Sequence, residues 1–155
     1  MTWSVRRKAS EGNGDRAFVI EESLGYLVNR AARVMAQQLA DELRENGVAI
    51  GQWAVLMFLW SEDGLSQADL ARVVAIEPPT MVRTVDRMAR DGLVERRPDP
   101  KDRRIRRIHL TDRGRALRDE LVPKAAGVNQ RTFARLTAEE RRTLASLLKK
   151  IAPLA

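Results

Sequence analysis

The sequence predicts a mainly α-helical fold with one small β-ribbon, and three observations support this prediction. Most segments of the 155-residue chain repeat their apolar residues at the helical spacing of three or four. Residues 93–97 and 106–110 instead alternate apolar and polar side chains, as half-buried strands do. Two short helical patterns come directly before this ribbon, in residues 66–91. This order of helix, helix, strand, loop and strand is typical of a winged helix-turn-helix.

The elements before the ribbon follow from periodicity and from capping residues. We interpret residues 1–17 as a mobile polar tail and residues 19–46 as a long helix that ends at Gly47. Residues 52–61 are apolar on every side, which predicts a buried helix. Ser66 is a good N-cap, because its hydroxyl can accept a hydrogen bond from a free N–H group of the next helix.

The fourth helix begins at the two prolines that precede Thr80, because proline fits the first turn of a helix. It ends before Gly92. Its opposite faces differ in chemistry. We expect the core-facing side to be apolar, formed by Val82, Val85, Met88 and Ala89. The other side is polar and basic, which suits base edges and phosphates, and carries Thr80, Arg83, Thr84 and Arg87.

The ribbon carries most of the positive charge of the chain. Residues 96–107 contain seven basic and two acidic side chains, a net charge of +5 within a total of +7. A concentration of this kind is typical of a nucleic-acid-binding surface. An acidic membrane is disfavoured as the partner, because the charges lie on a ribbon and not on an amphipathic helix. Two further helices follow, with Thr111 and Thr137 as their predicted N-caps.

Composition excludes several other classes of function. The chain has no cysteine and one histidine, so we expect neither a metal site nor a cofactor. The same scarcity, with no glycine-rich phosphate loop, leaves little from which to build an enzyme active site. No apolar run reaches the ~18 residues of a membrane span, and the N-terminus lacks the apolar segment of a secretory signal. We therefore expect a soluble, cytoplasmic protein that is not an enzyme.

Two motifs resemble one known family. Asp102-Arg103-Arg104, followed by Leu110-Thr111, resembles the D-x-R-x5-L-T wing signature of the MarR family of transcriptional regulators. Residues 77–97, EPPTMVRTVDRMARDGLVERR, resemble the recognition helix and first wing strand of the same family. The similarity extends over residues 19–151 and is nearest the SlyA-like branch.

The resemblance implies six helices with a small β-wing, in an intertwined homodimer. Residues 18–47 and 112–155 would form the helical dimerisation region, and residues 48–111 the winged helix-turn-helix domain. The partners it implies are double-stranded DNA, a second copy of the chain, and a small phenolic or aromatic effector bound between the two regions.

Candidate DNA contacts on the fourth helix follow from side-chain chemistry. Arg83 is the first choice for a base contact, because arginine can bind a guanine edge with two hydrogen bonds. Thr80, Thr84 and Arg87 suit phosphates better than bases. Pro79 either touches a thymine methyl group or only starts the helix.

Candidate contacts from the wing centre on its loop. We expect Arg103 to enter the minor groove, where a narrow A·T-rich groove attracts such a side chain. We expect Arg104 to pair with Asp102, which would brace the loop, although the two arginines could exchange roles. The remaining basic residues of the wing would neutralise phosphates: Lys101, Arg106 and Arg107.

Candidate ligand contacts are less specific. Trp53, Met57 and Trp60 recur at positions i, i+4 and i+7 of the second helix. Such a stripe is either core or one wall of a ligand pocket, and in the second case Tyr26 and Arg30 of the first helix would face it.

The sequence thus favours a sequence-specific regulator, with a repressor as the expected type, that binds a palindromic operator as a homodimer and is released by a small aromatic ligand. The alternative is a non-specific architectural DNA-binding protein, which charge alone does not distinguish from a regulator. The ratio of affinities for a promoter and for random duplex separates the two.

Overall fold

The computed structural model describes residues 19–153, and the predicted tail of residues 1–17 lies outside this range. Within the described range there are six α-helices, as the sequence predicted. The first was expected over residues 19–46, but Ile20–Glu22 form a separate 3-10 turn and the α-helix begins at Leu24. The helices are α1 (Leu24–Arg44), α2 (Ile50–Ser61), α3 (Gln67–Val74), α4 (Pro78–Arg90), α5 (Asp112–Thr132) and α6 (Ala138–Ile151). The strands are β1 (Leu65–Ser66), β2 (Val94–Pro98) and β3 (Arg106–Leu110).

Side-chain caps set the starts of three helices, and all three were predicted. The Ser66 hydroxyl accepts a hydrogen bond from the backbone N–H of Asp69 at 3.1 Å, which starts α3. Thr111 caps α5 in the same way. Thr137 and Glu140 form a reciprocal capping box at α6, with N···O distances of 3.2 and 2.8 Å.

The three strands form an antiparallel sheet in the order β1-β3-β2. The ribbon of β2 and β3 was predicted, with β2 beginning one residue later than expected. Strand β1 was not predicted, because two residues are too short to display an alternating pattern. Its Leu65 lies opposite Ile108 of β3, so the sheet joins the wing to the segment before α3.

The core lies between α2, α3, α4 and the inner face of the sheet, and Leu43 of α1 and Leu121 of α5 also contribute to it. Its fully buried side chains include Leu56 and Leu59 of α2, Leu70 of α3, and Ile108 of β3. The prediction that α2 is buried on every side is wrong for the single protomer, because Met57 on the outer face of α2 is 43% exposed.

The orientation of α4 also differs from the prediction. Met81, Val85 and Met88 are fully buried, at positions i, i+4 and i+7 of one helix face. Val82, which we expected to face the core, is 40% exposed. A residue next to Met81 is rotated by about 100° around the helix, so both cannot point into the core.

The N- and C-terminal helices leave apolar side chains uncovered. Helix α1 packs along α5, and Lys124 of α5 donates hydrogen bonds to Glu45 at 2.7 Å and to Asn46 at 2.9 Å. The N-terminal part of α1 is nevertheless exposed, with Leu24 at 78%. Helix α6 buries none of its residues, and Ile151 is 74% exposed.

Candidate nucleic-acid interface

The outward face of α4 presents arginines to solvent. Arg83, Arg87 and Arg90 are exposed, and within residues 19–153 none of them forms an ion pair. Thr80 is exposed as well, whereas the Thr84 hydroxyl is half-buried and donates to the Thr80 carbonyl at 2.9 Å. The outward face therefore offers three free guanidinium groups, and the Thr84 hydroxyl is already engaged within the helix.

Two side chains of this surface were missed by sequence reasoning. Arg90 lies seven residues after Arg83 and so on the same face of α4. Asp86 accepts a hydrogen bond from the Arg96 guanidinium at 2.6 Å, which connects α4 to strand β2. Helical spacing was the signal for Arg90. The partner of Asp86 lies ten residues away on another element, so no local pattern indicated it.

A buried carboxylate organises the wing loop. Asp99 is 4% exposed and accepts hydrogen bonds from the backbone N–H groups of Lys101 at 2.7 Å and Asp102 at 3.0 Å. It also pairs with the Arg107 guanidinium, which in turn donates to the Gly64 carbonyl at 2.9 Å. These bonds from Lys101, Arg107 and Asp102 lower the pKa of Asp99. Arg107 therefore has a structural role in the wing that the sequence did not indicate, and its expected phosphate contact stays a prediction.

Asp102 braces the loop in a different way from the prediction. Its carboxylate accepts the backbone N–H of Arg104 at 2.9 Å, and the ion pair expected between the Asp102 and Arg104 side chains is not formed. A backbone partner leaves the Arg104 guanidinium available. Arg103 is exposed as well, so either arginine can be presented to a groove.

The basic residues of the wing divide into two groups. Arg96, Arg97 and Arg107 pair with Asp86, Glu95 and Asp99 respectively. The other four are exposed and form no ion pair within the described part of the chain: Lys101, Arg103, Arg104 and Arg106. All four lie in the loop or at the first residue of β3, so the free positive charge is concentrated at the wing tip.

The base of the wing is fixed by Asp63, just after α2. One carboxylate oxygen accepts the backbone N–H of Leu110 at 2.8 Å. The other accepts Arg115 of α5 at 2.8 Å and lies 3.5 Å from the His109 ring nitrogen Nδ1. Burial opposes ionisation of this carboxyl, but the bonds from Leu110 and Arg115 and the nearby charges lower the pKa of Asp63 overall. The wing is therefore anchored to α2 and α5.

Acid should weaken the wing through Asp99. Because its pKa is lowered in the folded protein, ionised Asp99 stabilises the folded state above the ordinary aspartate pKa of about 3.9. This stabilisation is lost as the pH falls through the lower folded-state value. We expect Asp99→Asn to have a lower urea midpoint than the wild type at about pH 6, with the difference shrinking below about pH 4. A difference that stays constant down to about pH 3 would contradict this role.

Two of the three predicted ligand contacts on α2 line one groove, and Trp60 lies outside that lining. Trp53 and Met57 line a groove of about 370 Å³ between α1, α2 and α5. The Trp60 ring lies edge-on against Trp53, with ring centroids 5.7 Å apart. Its Nε1–H donates to the Gly114 carbonyl at 2.9 Å, so Trp60 connects α2 to α5. Trp60 thus has a structural role, which is one of the two alternatives that the sequence left open for this stripe.

Tyr26 and Arg30 lie elsewhere, in a separate groove near the start of α1. Within one chain the structure does not bring them together with the tryptophans of α2. Among residues 19–153, no group of three or more acidic or histidine side chains is arranged to hold a metal ion. No helix in this range has the length and apolarity needed to cross a membrane.

The helices, the sheet and the basic surface together define a winged helix-turn-helix protein. A model of the MarR family matches residues 49–105. The HTH-type transcriptional repressor Rv2887 of Mycobacterium tuberculosis is 34% identical over 130 residues, which cover 83% of this chain and 92% of that protein. The chain therefore belongs to the MarR family of transcriptional regulators.

Two solved structures are similar over most of the chain. A mutant of MarR from E. coli complexed with operator DNA has a TM-score of 0.80 and 28% identity, covering 84% of this chain and 94% of that one. BpsR of Bordetella bronchiseptica, whose DNA binding is regulated by 6-hydroxynicotinic acid, has a TM-score of 0.82 and 29% identity, covering 89% and 99%.

Proposed function

We propose that this protein is a transcriptional repressor that binds a palindromic operator as a homodimer, and that a small aromatic ligand releases it. The main support for DNA binding is that the paired and the unpaired basic residues lie in different parts of the structure. Acidic side chains neutralise the arginines that hold the wing in place. The arginines of the outer face of α4 and of the wing tip have no such partner among residues 19–153. The SlyA-like branch remains a proposal that rests on the motifs of residues 77–114.

In this proposal α4 enters the major groove. Arg83, near the middle of its outward face, contacts a base edge, and Arg87 holds the backbone together with Thr80. Thr84 joins them by exchanging the Thr80 carbonyl for a phosphate oxygen as the acceptor of its hydroxyl. Pro79 starts the helix at the groove wall. Most protein–DNA hydrogen bonds go to phosphate and sugar. Several residues of α4 would therefore fix the position of the protein on the duplex, and few would read the base sequence.

The wing tip then reaches the flanking DNA. One of Arg103 and Arg104 enters the minor groove, held by the Asp102 brace, while Lys101 and Arg106 neutralise phosphates. We expect alanine substitution of the inserted arginine to weaken binding to A·T-flanked sites more than to G·C-flanked sites, because narrow A·T grooves have the stronger negative potential.

The comparison of Arg103→Ala with Arg104→Ala in a gel-shift titration identifies the inserted side chain. The other variant should lose affinity equally on both flanks, as a phosphate contact does. Equal losses for both variants on both kinds of flank would show that neither side chain enters the groove.

A second copy of the chain is the proposed cover for the uncovered apolar side chains. Leu24 and Leu27 of α1, and Leu147, Leu148 and Ile151 of α6, are all exposed in the single chain. Residues 18–47 and 112–155 would form this dimerisation region, and residues 48–111 the DNA-binding domain. A two-fold axis would place the two α4 helices in major grooves about 34 Å apart.

The test of this function is an affinity ratio. Sites bound in cells are found by genomic footprinting, and the affinity for one such site is compared with that for random duplex at the same salt concentration. Specific regulators prefer their sites by a factor of about 10³ or more. A ratio near one would contradict the proposal and favour the architectural alternative.

We propose the groove lined by Trp53 and Met57 as the aromatic ligand site. Its lining is apolar with few polar groups, as small-molecule sites are. A second chain would be needed to bring Tyr26 and Arg30 of α1 to it, because in one chain they lie in another groove. Trp60 would support the site through its contact with Trp53.

The probe for this ligand site is 6-hydroxynicotinic acid, with benzoic acid as a simpler aromatic acid. We expect either acid to quench tryptophan fluorescence and to lower the affinity for the footprinted site, and Met57→Ala to weaken both effects. Quenching and DNA release that are unchanged in Met57→Ala would place the ligand elsewhere. No response to either acid would remove the support for an aromatic-acid effector.

A further inference from the structure

The outward face of α4 carries one apolar side chain that its sequence pattern had assigned to the core. Val82 is 40% exposed, whereas Met81 and Val85 on either side of it along the helix are fully buried. A single exposed valine is ordinary on a protein surface. Val82 lies on the helix that we propose to enter the major groove. The residues around Val82 therefore determine which group of the DNA it can contact.

Helical spacing places Val82 on the same strip of surface as the proposed base contact. Pro79, Val82 and Asp86 follow each other at intervals of three and four residues, and Arg83 lies next to this row. A side chain beside Arg83 that points away from the core faces the base pairs near the one that Arg83 contacts.

The charge near Val82 is neutralised within the protein. Asp86, one turn after Val82, is the acidic residue of α4, and it pairs with Arg96 of β2 at 2.6 Å. The pair brings opposite charges together on this flank of the helix. An apolar group of the DNA can therefore approach Val82 from this flank without facing an unpaired carboxylate.

The major groove offers one apolar group on its base edges, the C5-methyl group of thymine. We propose that Val82 is a specificity-determining residue that packs against a thymine methyl group next to the base pair contacted by Arg83. The assignment rests on the proposed DNA-binding function and adds a base preference to it. The Asp86–Arg96 pair acts as the positioning element that holds this flank of α4 against the wing.

The test removes only the C5-methyl group of thymine from the DNA. In a footprinted site each thymine is replaced in turn by deoxyuridine, and affinities are measured for the wild type and for Val82→Ala. Removal of one buried methyl group should weaken wild-type binding about fourfold at one thymine of each half-site. Val82→Ala should be insensitive to the replacement at that thymine and unchanged in its sensitivity elsewhere.

Ile105→Ala is the matched control, because it shortens another exposed apolar side chain, on the wing instead of on α4. Its response to deoxyuridine should equal that of the wild type. Val82→Ala that keeps the full sensitivity would overturn the assignment, and loss of the sensitivity in Pro79→Ala would transfer the contact to Pro79. The proposed function is tested separately, by the wild type alone. If the wild type does not prefer the footprinted site over random duplex, the proposed function is rejected together with the role of Val82.

Discussion

Gly114→Ala is expected to destabilise the protein by more than about 3 kcal/mol, at the upper end of overpacking effects. A Cβ atom at this position of α5 would lie 2.1 Å from the backbone carbonyl oxygen of Leu93. That oxygen is held in place, because it accepts the backbone N–H of Thr111 at 3.1 Å. The Gly114 carbonyl is fixed as well, by the indole N–H of Trp60 at 2.9 Å. Movement of the Leu93 backbone would break its bond to Thr111, and movement of the Gly114 backbone would break the bond between α5 and Trp60 of α2.

The measurement is thermal unfolding, where such a loss lowers Tm by about 10 °C for a chain of this size. Gly51→Ala is the matched control, because a Cβ atom at Gly51 in α2 would meet no atom within 4 Å. That variant should unfold at the wild-type temperature or slightly above, since alanine is the better helix former. Equal Tm values for the two variants would show that the backbone contact at Leu93 relaxes at little cost.

Arg83→Ala is expected to weaken binding to a footprinted site by ~1–3 kcal/mol and to relax the preference at one base pair of each half-site. The physical reason is the loss of two hydrogen bonds to one guanine edge. Arg83 is exposed on α4 and forms no ion pair within residues 19–153, so its removal leaves the fold intact. Binding is measured by titration against the site and against variants of each base pair.

Arg83→Lys separates base recognition from charge, because lysine keeps the charge but lacks the planar fork of donors. It should bind random duplex as the wild type does and still lose the base preference. An Arg83→Ala protein with wild-type affinity and unchanged base preferences would remove Arg83 from the interface. Full rescue by Arg83→Lys would reduce its role to that of a phosphate contact.

Most of the fold prediction rested on interactions between residues that are close in the sequence. Proline pairs, hydroxyl caps and alternating apolar residues act within a few residues of each other, so α4, the caps at Ser66 and Thr137 and the wing ribbon were correctly predicted. The rotation of α4 was not, because it depends on packing against α2 and the sheet. Met81 and Val82 are adjacent apolar residues, and only the tertiary environment decides which one is buried.

Long-range polar contacts were the features of the site that the sequence did not indicate. The partners of Asp99 include Arg107 on the other wing strand, and Arg107 also reaches Gly64 before β1. The Asp86–Arg96 pair likewise joins two elements. A run of basic residues in a sequence shows that positive charge is abundant. The ion pairs that neutralise some of these residues join different elements, so they are visible only in the folded chain. That a second chain covers the exposed apolar side chains of α1 and α6 remains a prediction.

Selection from a random duplex library shows whether two copies of α4 and of the wing hold one duplex together. We expect enrichment of an imperfect palindrome whose half-sites are about one helical turn, 10–10.5 base pairs, apart. We also expect A·T-rich sequence where the wing tips lie. Selected sequences without two-fold symmetry, or a library that remains random after repeated rounds, would contradict this arrangement.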